Sequence, residues 1–567
     1  FGNIGTHQDL PLLDWLTNYT FPIESKFSDK NFSEKMNAAV VRSTLSRGTT
    51  TACYFGTIYK DDAVGIGSIK TNFQLFSKIN PKQALTKAKE EGFYRARSVL
   101  REKGQHQINN LRRQGKYIAA KKQNIERHYE EKIMAAEGDR IFVGKIVVGT
   151  DPNEELTKND WAIVVDSHGI IKASGSSEHI LSRFDGEIVK LGPYSILMPG
   201  FIDAHLHAPQ FGNIGTHQDL PLLDWLTNYT FPIESKFSDK NFSEKMNAAV
   251  VRSTLSRGTT TACYFGTIYK DDAVALATQC AEQGQRAYVG KVNMDINPLA
   301  TYYVNEFIIF KLTYFFPTRE IRGLGNSLVE PIITPRFAPS CSVSLMQSLG
   351  KMAKEQDMAI QTHISENEGE IQLMSAFPND GYLDVYEKNG LVSDRCLLAH
   401  SIYLTESEKK KMAEKGASIV HCPDSNFALM SGVLDHQSAT EANINVALGT
   451  DVAGGASASM VDAMRYAELA SKINTINQKQ TTSYLNFKKP FIYGTLNGAK
   501  ALKIDDKTGS LEVGKEFDAV IADVSASLEP VFLDNDSPDE LLERFVHCSD
   551  PRSITNVFLR GKQVFSS

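Results

Sequence analysis

"PGFIDAHLHAPQ", Pro199–Gln210, places two histidines two residues apart at the end of a short apolar run. On an extended strand, residues i and i+2 share a face, so His205 and His207 point the same way. Two imidazoles aimed inward at the end of a buried strand are costly unless something pairs them. A divalent cation satisfies both. With a third imidazole and a carboxylate the set suits Zn²⁺, Fe²⁺ being the other ion of matching ligand preference. A lone HxH decides nothing, so the reading turns on what the neighbouring strand ends carry.

Seven further apolar runs follow: "TTTACYF" (259–265), "RAYVGKVNMD" (286–295), "PIITPRF" (331–337), "AIQTHISE" (359–366), "CLLAHSIYL" (396–404), "SIVHCP" (418–423) and "NVALGTD" (445–451). Helix-like stretches such as "SEKMNAAVVRSTLSR" and "SVSLMQSLGKMAKEQ" lie between most of them. Eight strands alternating with helices over roughly 250 residues predict an α/β fold, a closed (β/α)8 TIM-like barrel over 199–506. A doubly wound open sheet competes, but no Gly-rich phosphate loop follows a strand. Barrel enzymes place their chemistry at the C-terminal ends of strands. There stand His205 and His207 on the first strand, Arg336 and Phe337 on the fourth, His363 on the fifth, His400 on the sixth and Asp451 on the eighth.

Short β-branched runs flank the barrel. "IFVGKIVVG", "WAIVVD", "IIKASG" and "EIVKLG" precede it, and "EFDAVIADV" and "ITNVFLRGKQVF" follow it. They predict a small β-sandwich domain built from 140–198 together with 507–567.

Residues 1–64 repeat 211–274 letter for letter, and the identity ends at Gly65 against Ala275. Solenoid repeats vary and come in threes or more, so this is a partial duplication or a fault of gene assembly, not an independent domain. The copy begins after Gln210 and therefore lacks His205, His207 and Gln210. Its spare "TTTACYF" has no slot in an eight-stranded barrel and is expected to stay unpaired or compete, an aggregation liability. Residues 65–139 hold 16 Lys and Arg against 8 Asp and Glu. They read as a basic, helix-prone linker or appended segment rather than an RNA- or membrane-binding arm.

The overall charge of -6 argues against a nucleic-acid partner. No apolar run approaches the ~18 residues of a membrane span. Seven cysteines without a CxxC pair read as reduced thiols of a cytoplasmic enzyme. The H-x-E and P-C-x-x-C pattern of base-editing deaminases is missing, which favours a free base as substrate.

"PGFIDAHLH", "THISE", "LLAH" and "GTD" resemble the strand-end motifs of the amidohydrolase superfamily. "HAPQ", "LPLLDWLTNYTFPIE", "TPRF", "HISENE", "HCPDSN" and "GTDVAGG" resemble its guanine deaminase family, over about 140–567. The resemblance implies His205, His207, His363 and Asp451 as zinc ligands. It implies one metal, because "IITPRF" lacks the lysine that bridges two metals in other members. Glu366 matches the family's proton shuttle, Asp451 also takes the proton of water, and His400 is an electrostatic partner of the reacting carbon. Gln210, Arg336 and Phe337 match the substrate contacts: an amide for a purine edge, a guanidinium for the O6 carbonyl, and a ring for the purine face. The implied reaction converts guanine and water to xanthine and ammonia, in a homodimer. The competing functions are another mononuclear amidohydrolase, acting on cytosine, a thiomethylated nucleoside or a chlorinated triazine, and a non-catalytic barrel scaffold.

Overall fold

The computed structural model describes residues 4–7, 10–54, 56–58, 138–300, 317–478, 484–534 and 536–567. All but the last two residues of the basic 65–139 segment lie outside the described residues. The chain forms two compact units: one of residues 1–21, 136–181 and 186–567, the other of 22–135 and 182–185.

In the larger unit, five strands come first: β1 Arg140–Val147, β2 Thr157–Val165, β3 Ile171–Ser176, β4 Glu187–Lys190 and β5 Ser195–Pro199. Ten short strands follow: β6 Phe201–His207, β7 Thr259–Phe265, β8 Arg286–Gly290, β9 Val292–Asn293, β10 Val329–Pro331, β11 Thr334–Pro335, β12 Ile360–Ile364, β13 Cys396–His400, β14 Ser418–His421 and β15 Val446–Leu448. β16 Ala519–Asp523, β17 Ile554–Leu559 and β18 Lys562–Ser566 close the chain.

The first five and last three strands make one mixed eight-stranded sheet, ordered β18-β17-β16-β5-β1-β2-β3 with β4 on β1. Both flanks of the central region therefore supply it. β16 runs antiparallel to β5 with Ala519 opposite Pro199, and Gly200 alone separates β5 from β6. A buried pair between Arg286 and Asp518, 2.8 Å, ties the start of β8 to this sheet.

The central strands are parallel, in the orders β10-β8-β7-β6, β11-β9 and β12-β13-β14-β15. β7 is buried at every residue, the pattern of a parallel strand covered on both faces. Backbone bonds link these sheets. Gln361 N donates to Ile333 O at 2.8 Å and Asp451 N to His205 O at 2.9 Å, joining the fourth predicted strand to the fifth and the eighth to the first. The helices expected between them are Lys240–Leu255 and Val343–Gln356. The third and fourth predicted strands are each broken in two, and Arg336 and Phe337 lie just past β11.

The duplicated text forms the same local structure twice. A helical turn at Leu12–Trp15 and a π-turn at Leu16–Thr20 recur at Leu222–Trp225 and Leu226–Thr230. His7 stacks on Tyr19 as His217 does on Tyr229, at 3.5 Å between ring centroids. Burial differs: Leu12 is 68% exposed, Leu222 7%. In the second unit, Lys30–Ser46 is a helix capped by Asp29. No strand forms over 49–54 in that unit, although the same letters make β7.

Candidate metal centre and active site

The proposed site residues lie at or shortly past strand ends, and at several of these places the chain turns sharply. His400 and Asp451 have positive φ, 68° and 47°, as does Ser365 between His363 and Glu366 at 49°. Such backbone is uncommon outside glycine and concentrates at functional turns. Gly449 lets the eighth strand reach the first, since a Cβ there would stand 2.8 Å from Cβ of His205. Asp203, two residues before His205, accepts from Thr450 N at 3.0 Å and Thr450 Oγ1 at 2.6 Å. That pairing carries Asp451 to the histidines.

Four side chains converge. Asp451 Oδ1 lies 3.2 Å from His205 Nε2 and 3.4 Å from His207 Nε2, and His207 Nε2 lies 3.1 Å from His363 Nε2. His205, His363, His400 and Asp451 also offer ligand atoms within 4.8 Å of one another, so His400 stands at the edge of the cluster. His400 reaches Asp451 only through its other oxygen, at 3.8 Å, and is nearer Glu366, at 3.5 Å. Its Nδ1–H donates to Asn426 Oδ1 at 2.8 Å, while its buried Nε2 has no hydrogen-bond partner among the described residues.

Burial lowers the pKa of His205 and lowers those of His207 and His363 well below the ordinary imidazole value. All three are therefore neutral, the form that ligates metal. Burial opposes the charge of Asp451, but its contact with His205 and the field of His400, whose own pKa is raised, outweigh that and keep it ionised. Glu366 is pushed up to about 7, first by burial, with His400 opposing and Asp451 adding. Ser431 Oγ donates to its Oε1 at 3.1 Å, and Glu370 accepts from its backbone N at 2.7 Å.

A pocket opens beside this cluster. His207, Gln210, Arg336, His363, Glu366 and Asp451 give it polar walls; Leu222, Leu223, Trp225, Leu226, Phe337 and Leu429 give it apolar ones. Gln210, Arg336 and Phe337 are buried. Arg336 pairs with Glu234 through Nη1 at 2.7 Å and Nη2 at 3.2 Å. Gln210 Nε2 donates to the same carboxylate at 3.1 Å.

All the predicted site residues thus lie together. Sequence reading missed Asp203, Glu234, Asn426 and Ser431, and the Leu222–Leu226 wall. One of these had a signal in the residues alone: "IDAHLH" sets Asp203 on the face of His205.

The amidohydrolase family model matches residues 196–564, and the chain belongs to that family. A curated relative, the guanine deaminase of Rattus norvegicus, is 43% identical over 392 residues, 67% of this chain and 86% of that one. A solved guanine deaminase from C. acetobutylicum, with guanine bound in its active site, superposes with a TM-score of 0.69 at 33% identity, covering 76% of this chain and 100% of that one. An adenosine deaminase from Xanthomonas campestris with bound zinc matches with a TM-score of 0.65 at 28% identity, over 76% and 93%.

Proposed function

We propose that this pocket hydrolyses guanine to xanthine and ammonia. The observation that carries the reading is the convergence of three neutral imidazoles and an ionised carboxylate beside a pocket lined by Arg336. The guanine deaminases among the chain's relatives support it. The architecture we infer is a closed (β/α)8 barrel over 199–506 with a small β-sandwich domain from 140–198 and 507–567.

His205, His207, His363 and Asp451 would hold one Zn²⁺. Their donors suit that ion, three imidazole nitrogens and a carboxylate oxygen, and three of the distances between them are 3.1, 3.2 and 3.4 Å. Bound there, the ion supplies a nucleophile from water at neutral pH and stabilises developing negative charge. Arg336 donates to the O6 carbonyl, Gln210 reads the purine edge and Phe337 covers a ring face. Adenine would set an amine against Arg336, and a site made to donate there rejects it. Glu366 is buried and holds its proton near neutrality. It gives that proton to the ring nitrogen beside the reacting carbon and serves again when the amine departs. Asp451 takes the proton of the attacking water. His400 steadies the tetrahedral carbon. One C–O bond forms, one C–N bond breaks, and ammonia leaves.

The substrate is a free base, with no nucleic acid or membrane involved, and the enzyme is a cytoplasmic homodimer. Its seven cysteines are all free thiols, and no helix among the described residues is long and apolar enough to cross a membrane. Incubation with guanine, followed by xanthine absorbance, tests the function. Turnover of cytosine, a thiomethylated nucleoside or a chlorotriazine with none of guanine overturns it.

A further inference from the structure

We propose that Glu234 is a specificity-determining positioning residue: it neutralises Arg336 and fixes the Gln210 amide, so that the pocket reads uncharged purine carbonyls and releases anionic purines, ionised xanthine included. The inference rests on the guanine reading above and names how that site discriminates.

Glu234 ends the short helix Phe231–Glu234, "FPIE". Positions i and i+3 share a helix face, so Phe231 and Glu234 meet the same neighbour, Arg336. The guanidinium carbon lies 5.0 Å from the Phe231 ring centroid, and the carboxylate grips the fork at 2.7 and 3.2 Å. Glu234 is fully buried and does not line the pocket. It acts only through the residues it holds.

Two consequences follow from charge and geometry. A guanidinium carries five N–H donors, and a bidentate carboxylate engages two of them and fixes the plane of the group. The Gln210 amide is oriented by the same carboxylate, 3.1 Å from Nε2, with Ala453 N donating to its Oε1 at 3.4 Å. The Arg336–Glu234 pair has no net charge. Without that carboxylate, the buried guanidinium would attract anions more strongly. Guanine is neutral near physiological pH, whereas xanthine has a ring N–H that ionises there. Neutral recognition thus admits the substrate and weakens the hold on the product.

The test compares wild type with Glu234→Gln and Glu234→Asp at mildly alkaline pH, reading guanine KM and kcat and the inhibition constant of xanthine. In Glu234→Gln we expect guanine KM to rise about tenfold, kcat to fall less, and the xanthine constant to drop about tenfold. Glu234→Asp keeps the charge and shortens the reach, so KM rises while the xanthine constant stays at the wild-type value. A merely structural role would weaken both ligands together. Parallel weakening in Glu234→Gln, or no change in either constant, overturns the proposal. Where Glu234→Gln does not fold, Glu234→Asp decides on its own: an unchanged KM, or weaker xanthine, overturns it. Wild type inert toward guanine would remove the functional reading, and xanthine binding measured by calorimetry still tests the charge effect.

Discussion

Nδ1–H of His363 donates to the carbonyl oxygen of Arg336 at 2.6 Å. That bond selects the tautomer whose Nε2 lone pair faces His207 and Asp451, and it pins the backbone that presents the guanidinium to the pocket. The proposed metal ligand His363 and the proposed substrate contact Arg336 are thereby joined by one bond between the fourth and fifth predicted strands.

Metal removal should act on both. Exhaustive chelation is expected to abolish guanine turnover and lower the melting temperature, because buried neutral imidazoles lose their common partner. One equivalent of zinc should restore both, and His363→Ala should no longer retain the ion. Full activity in the chelated protein, or two tightly held ions per chain by elemental analysis, would contradict this.

Glu366→Gln keeps the shape and removes the mobile proton. Its kcat should fall by about 10²- to 10⁴-fold with the metal content unchanged. A variant that retains a tenth of wild-type kcat would show that the proton travels by another route.

Asn426 touches neither reacting atoms nor metal in this reading; it holds Nδ1 of His400. Asn426→Ala should lower kcat about 10- to 100-fold, the usual cost of losing such an orienting partner, while guanine KM moves little. A shift in KM alone would count against an orienting role.

His547 supplies a pH-dependent tie remote from the site. Its Nε2 lies 2.8 Å from Glu468 and its Nδ1 donates to Gly5 O at 3.2 Å. Burial opposes its charge, but the bond to Glu468 and the fields of Glu468 and Glu543 prevail and raise its pKa above the ordinary value. A raised folded value means full stabilisation below the unfolded pKa, about 6.5, and loss as pH climbs through the folded value. Wild type should therefore lose melting temperature relative to His547→Gln as pH rises above about 6.5. Parallel curves would show that the pair contributes nothing on titration.

A chain beginning at Arg140 should keep wild-type kcat per bound metal and stay in solution at higher concentration. It removes Leu12, Leu13 and Ile58, which are 68%, 75% and 94% exposed. It also removes the bond from His7 to Glu540 and the Arg544 bond to Ile4 O, although Arg544 keeps its pair with Asp536. Loss of turnover would assign the first 139 residues a role in the site.

The strand-end residues were legible because each closes an apolar run, and a two-residue spacing puts His205 and His207 on one face. Arg336 was legible for the same reason, but its partner was not. Glu234 is about a hundred positions away, in a helix of four residues, and nothing local says that its carboxylate is buried. The breaks at Lys291 and at Ile332–Ile333 were also hidden: a single lysine does not by itself mark the end of a strand, and apolar residues continue through the second.

The duplicated text separates the two kinds of information. Its turns, its π-turn, its His–Tyr stack and its long Asp-capped helix form in both places, because their bonds and contacts close between residues near in the chain. "TTTACY" becomes strand only at 259–264, between β6 and β8, because a strand's hydrogen bonds must be completed by other segments. Glu24 is exposed where Glu234 is buried against Arg336. Sequence alone set the local bends and the ligand spacing. Tertiary structure decided which copy of an identical segment has neighbours that make it strand and carboxylate clamp.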